Sequence, residues 1–153
     1  MQIKNIVIVV LINIIASNAI ALASCSVSVP TVNFGNFNMG SSRTAMVTAS
    51  VTCSGIGLLV NYTVRFSTGT AGAYNPRQMA SGANRLNYNL YKNAAFTQIL
   101  GNGTSSTVTI TDSYLISLGP VTRNYTIFAS LPSQSPAFAG TYQDTITATV
   151  TQP

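Results

Sequence analysis

Reactive side chains are scarce in this 153-residue chain: a conventional catalytic or metal centre could recruit only Cys25, Cys53, Asp112 and Asp144, for there is no histidine and no glutamate. A general base working near neutral pH is ordinarily histidine or a tuned carboxylate, and a Ser or Cys nucleophile needs such a base within hydrogen-bond reach. Zinc asks for about four Cys, His or carboxylate ligands, which would consume every candidate at once. The residue types therefore speak against an enzyme, a metal site or a bound cofactor. Disulfide formation is the chemistry left to the cysteines.

Charged residues make up 6% of the chain and hydrophobic ones 46%, against about 25% charged in an ordinary soluble domain. Disorder needs the opposite balance, and this length suits one domain with a real core. The net charge is +5. Arg43, Arg65, Arg77, Arg85, Lys92 and Arg123 stand singly between uncharged stretches. They read as isolated solubilising charges rather than the stripe that nucleic acid requires.

Residues 1–23 begin with Lys4, continue through an apolar run from Ile6 to Ile15 broken by Asn13, and end on Ala21-Leu22-Ala23. That run is shorter than the roughly 20 residues of a membrane span. The pattern is that of a secretory signal peptide, cleaved between Ala23 and Ser24. The mature domain then covers 24–153. Leu22-Ala23-Ser24-Cys25 also fits the loose pattern for lipoprotein processing, in which Cys25 would carry a lipid anchor. An oxidising compartment and even cysteine parity favour instead a Cys25–Cys53 disulfide. Its loop closure would stabilise the fold by about 3 kcal/mol.

Beyond residue 23 apolar side chains recur at every second position with Thr, Ser and Asn between them, which is a strand period. The clearest runs are 25–29, 45–53, 58–66, 85–91, 107–111, 125–131 and 141–151. In the last, Ile146, Ala148 and Val150 alternate with Thr145, Thr147 and Thr149. Breakers such as Gly35-Asn36, Ser81-Gly82, Gly101-Asn102-Gly103 and Gly119-Pro120 separate the runs. Short alternating strands joined by such turns imply an all-β immunoglobulin-like sandwich. If the run at 141–151 is strand F, then strand G is missing, since only Gln152 and Pro153 follow. A sandwich without that strand exposes a groove and a row of unpaired backbone groups, and requires a partner to complete it.

Several short motifs in order resemble the spore coat protein U domain, shared with archaic, Csu-type chaperone-usher pilins. They are Cys25 followed by Phe34-Gly35, then Val51-Thr52-Cys53-Ser54-Gly55, Arg77-Gln78-Met79, Leu86-Asn87-Tyr88-Asn89-Leu90-Tyr91, Gly101-Asn102-Gly103, and Ala139-Gly140-Thr141-Tyr142-Gln143-Asp144 before the final strand. The resemblance implies an incomplete immunoglobulin-like β-sandwich completed by a donated strand. It implies export through the periplasm to the cell surface or a fimbrium, with a periplasmic chaperone, an outer-membrane usher and neighbouring pilin subunits as partners. Surface attachment and biofilm formation are the implied roles, and membrane contact would come only through the usher or a lipid on Cys25. Cleavage at Ala23 leaves Ser24 alone ahead of the first cysteine, too little for a donor segment. Such a subunit would accept a strand without giving one, as at a fibre tip, or act as a free or lipid-anchored surface-binding module outside a fibre.

Three further features carry less weight. Asp144 reads as a hydrogen-bonding strand residue beside an arginine or a backbone amide. Asn61, Asn102 and Asn124 open glycosylation sequons in a chain so rich in Asn and Thr that chance accounts for them. Tyr74, Tyr114, Leu115 and Ile116 fall in or near expected loops, where ordinary packing suffices.

Overall fold

A computed structural model describes residues 2–3, 7–12, 23–38, 40–55, 58–116, 119–135 and 137–153. The described elements are all β-strands in chain order: β1 (Gln2–Ile3), β2 (Val7–Ile12), β3 (Ser24–Ser28), β4 (Val32–Asn33), β5 (Phe37–Asn38), β6 (Arg43–Ser54), β7 (Leu58–Phe66), β8 (Arg77–Ser81), β9 (Asn84–Tyr91), β10 (Ile110–Ile116), β11 (Val121–Leu131) and β12 (Gln143–Thr151). The fold is an all-β, immunoglobulin-like sandwich. One layer runs β10-β7-β12 and continues through β2 to β4, while the other runs β9-β11-β6-β3. The β8–β9 hairpin turns the corner between them, since β8 pairs with β9 over its whole length and meets β12 only at Gln143↔Ala80.

Alternation places the core. On β12, Asp144, Ile146, Ala148 and Val150 are buried while the intervening threonines are partly exposed. On β6 and β11 the odd-numbered residues Ala49, Val51, Cys53, Ile127, Ala129 and Leu131 turn inward. Each fully buried Val, Leu or Ile stabilises the fold by about 1.5–3 kcal/mol, so a one-residue slip of any long strand would invert its contribution. Cys25 faces Cys53 across the β3–β6 ladder with Cα atoms 4.0 Å apart, and a disulfide joins them inside the core.

The structure departs from the sequence reading at four places. Leu115 and Ile116 are not loop residues; they form the end of β10 with Tyr114, in register with Leu59, Leu58 and Val60. The strand read at 107–111 begins only at Ile110. Thr107 instead closes a tight turn, its amide donating to Thr104 O at 2.9 Å and its hydroxyl at 2.6 Å. The segment Arg77–Ser81, known above only as a motif, is strand β8. Most consequential, Arg77 is no solubilising surface charge, for its exposure is 0%. Of the leader read at 1–23, Ala21, Leu22 and the other residues at 13–22 lie outside the described residues, but the apolar run contributes β2.

Candidate functional site

The β12–β2–β4 part of the first layer is the candidate site, because β2 alone joins β12 to β4 among the described strands. One edge of β12 pairs antiparallel with β7 from Ala148↔Phe66 to Thr151↔Thr63. Its other edge, from Gln143 to Ala148, pairs parallel with Val7–Ile12. That same β2 segment pairs antiparallel with β4 through Val7↔Asn33 and Ile8↔Val32. Thus β4 reaches β12 only through β2. Strands in a sheet lie about 4.8 Å apart, so without β2 a slot one strand wide would separate β12 from β4. Its inner wall would be Ile146 and Ala148 on one side and Val32 on the other, all of them 0–1% exposed with the strand in place.

A buried polar lock holds the end of β12 that lines this slot. Asp144 Oδ1 accepts hydrogen bonds from the Thr70 amide, the Thr70 hydroxyl and the Thr145 amide, each at 2.8 Å, and Oδ2 accepts from the Tyr88 phenol at 2.6 Å. Burial and the adjacent carboxylate raise the Tyr88 phenol well above its ordinary pKa. Gly69 adopts φ +76°, and a Cβ there would collide with the Asp144 carboxylate. Only glycine meets both demands. Asp144 therefore plays the hydrogen-bonding part read from the sequence, with Tyr88 as the partner that no spacing rule announced.

Arg77 extends the lock to the loop between β7 and β8. Its Nε and Nη2 donate to Ser67 O at 3.2 and 2.8 Å, Nη2 also donates to Leu100 O at 2.7 Å, and Nη1 donates to Asn89 Oδ1 at 2.7 Å. Asn89 in turn donates to Tyr74 O at 2.8 Å, and the guanidinium lies 5.1 Å from the Tyr74 ring centre. Burial lowers the pKa of Arg77, an effect opposed by the neighbouring Tyr88, Tyr74 and Asp144. A planar five-donor group suits this cluster of carbonyls in a way that lysine cannot. The buried side-chain N and O atoms of the described residues all have partners, so the lock is rigid rather than poised to bind.

A second polar group bridges the layers near the β10 edge. Tyr62 and Tyr125 share a 2.6 Å hydrogen bond, and Tyr125 donates to Asp112 Oδ2 at 2.6 Å. The Tyr125 hydrogen bond, with that of the Ser113 amide and the charge of Arg123, holds the Asp112 carboxyl below its usual range despite some desolvation. Asp112 and Asp144 thus belong to separate clusters, and Cys25 and Cys53 are bonded to each other. Among the described residues no three Cys, His, Asp or Glu converge to hold a metal.

A two-layer immunoglobulin-like sandwich in which one layer is closed by the N-terminal strand Val7–Ile12 is the fold observed. The Spore Coat Protein U domain model matches residues 11–149, and the chain belongs to that family. One solved structure that it resembles is the CsuC–CsuE chaperone–tip adhesion subunit pre-assembly complex from the archaic chaperone-usher Csu pili of Acinetobacter baumannii. The likeness has a TM-score of 0.52 at 21% identity and covers 84% of this chain but 39% of that one. No curated protein matches the sequence.

Proposed function

We propose that this protein is a non-enzymatic structural subunit of a chaperone-usher pilus or surface coat, assembled by strand donation. The observation that carries the reading is the position of Val7–Ile12 between β12 and β4. Residues 1–23 form the signal peptide, and cleavage between Ala23 and Ser24 withdraws β2 and opens the slot. A periplasmic chaperone fills it first. A neighbouring subunit fills it after passage through the outer-membrane usher, and the fibre reaches the cell surface to serve attachment and biofilm formation. Because β3 starts at Ser24 and is already committed to β6, the cleaved chain has no free segment ahead of it to donate, which suits a terminal place in the fibre. The bond between Cys25 and Cys53 leaves no thiol for a lipid anchor and favours the fibre over the anchored module.

The test compares the chain starting at Ser24, alone and with an alternating apolar peptide fused after Pro153. The unfused chain should aggregate or stay bound to chaperone, and the fusion should be monomeric with a higher Tm. An unfused chain that is monomeric and equally stable would end the proposal. Immunogold label along fibre shafts, rather than at tips, would remove the terminal placement alone.

A further inference from the structure

The outward face of the β9-β11-β6-β3 layer is chemically unusual. Every outward position on β3, β6 and β11 is Ser, Thr, Asn, Met or Phe. The charged residues of those strands, Arg43 and Arg123, fall on the odd-numbered phase that turns toward the opposite layer. In a chain of net charge +5, an uncharged outward face across these three strands is a feature of its own, while on β9 the exposed Arg85 shares the phase of Tyr91.

At one end of this face stands an apolar platform. Met46, Phe128 and Tyr91 lie in register across three adjacent strands, and Met46 is 69% exposed. Phe96 reaches over them from the loop after β9, its ring edge-on to Tyr91 at 5.4 Å and to Phe128 at 6.5 Å. Its backbone holds φ +53°, a left-handed conformation that a bulky residue adopts only at an energetic cost. Asn93 sustains it: Oδ1 accepts from the amides of Thr97 and Gln98 at 3.1 and 3.0 Å, and the Phe96 amide donates to Asn93 O at 3.1 Å. Strain kept to hold a partly buried ring at the surface beside the exposed Met46 points to use of that ring.

Next to the platform, hydroxyl and amide groups repeat in rows about 7 Å apart, the spacing of alternate strand residues. Thr48 faces Thr126, and Ser50 Oγ donates to Asn124 Oδ1 at 2.8 Å in the following row. We propose that this face binds a neutral polysaccharide, a sugar ring resting on the Phe96–Phe128–Met46 platform and its hydroxyls exchanging hydrogen bonds with Thr48, Thr126 and Asn124. The absence of charge selects the partner. An acidic polymer would surrender hydration against three strands, β3, β6 and β11, whose outward positions offer no counter-charge, whereas a neutral glycan presents both C–H faces and hydroxyls. The face is remote in the sheet order from the β12–β4 slot, so this inference stands apart from strand donation.

Affinity electrophoresis of the purified full chain in gels containing hydroxyethyl cellulose or carboxymethyl cellulose tests it. Retardation by the neutral polymer should persist when salt is raised, because no charge pair is involved. Phe96→Gly removes the ring and suits the left-handed backbone, so the fold survives; this variant and Thr126→Lys should each reduce retardation at least tenfold. Absence of retardation by the neutral polymer, or retardation unchanged in both variants, overturns the proposal. So does retardation confined to the anionic polymer and abolished by salt. Sedimentation showing a dimer of the parent chain that Phe96→Gly dissociates would assign the face to a second copy instead.

Discussion

Tyr88 and Asp144, 56 residues apart in sequence, meet through a 2.6 Å hydrogen bond that ties the β8–β9 hairpin to the strand lining the slot. Tyr88→Phe keeps the ring and removes one of four bonds to a buried carboxylate. A hydrogen bond to a charged group contributes about 1.5–3 kcal/mol, and urea unfolding should report a loss of that size. Gly69→Ala should cost at least as much, because it drives a methyl group into the same carboxylate from a backbone conformation that alanine resists.

Arg77→Met should be more damaging than either. It fills much of the volume but leaves Ser67 O and Leu100 O without the guanidinium donor, while Asn89 Oδ1 keeps only the Leu90 amide. Each buried acceptor so orphaned costs about 1–3 kcal/mol. Arg77→Lys should rescue only part of the loss, since one ammonium cannot span the same acceptors. Thermal unfolding of the two variants side by side measures the difference.

Removing the disulfide by Cys25→Ser with Cys53→Ser should lower stability by about 3 kcal/mol. Either single variant should lose a similar amount, because it breaks the same bond and leaves one hydroxyl beside a free thiol in a core where both positions are no more than 5% exposed. Parent protein should resist alkylation unless reduced and unfolded together.

Acid should loosen the bridge at Asp112. Its folded-state pKa lies below the ordinary carboxylate value, chiefly through the Tyr125 hydrogen bond. The unfolded chain therefore takes up the proton first as pH falls, so the stabilisation is present above about pH 4 and is lost below it. Tyr125→Phe should flatten the acid limb of a stability–pH curve, and Asp112→Asn should flatten it too while lowering the plateau.

Much of the sandwich was legible from residues alone. A period of two separates core from solvent one residue at a time, so β6, β7, β9, β11 and β12 announce themselves through their own side chains, and the inward parity of Cys25 and Cys53 follows from the same count. Other features depend on which strands become neighbours. Arg77 looks like any lone surface arginine until the β7–β8 loop, β9 and Leu100 close round it. Leu59 and Leu115, each 66% exposed, read as unrelated until β7 and β10 set them side by side. The apolar run at 7–12 has the composition of a leader and equally of a buried strand, because continuous apolar residues carry no periodicity to tell the two apart. Its place between β12 and β4 was decided in the tertiary structure, where the backbone edges of those two strands pair with it.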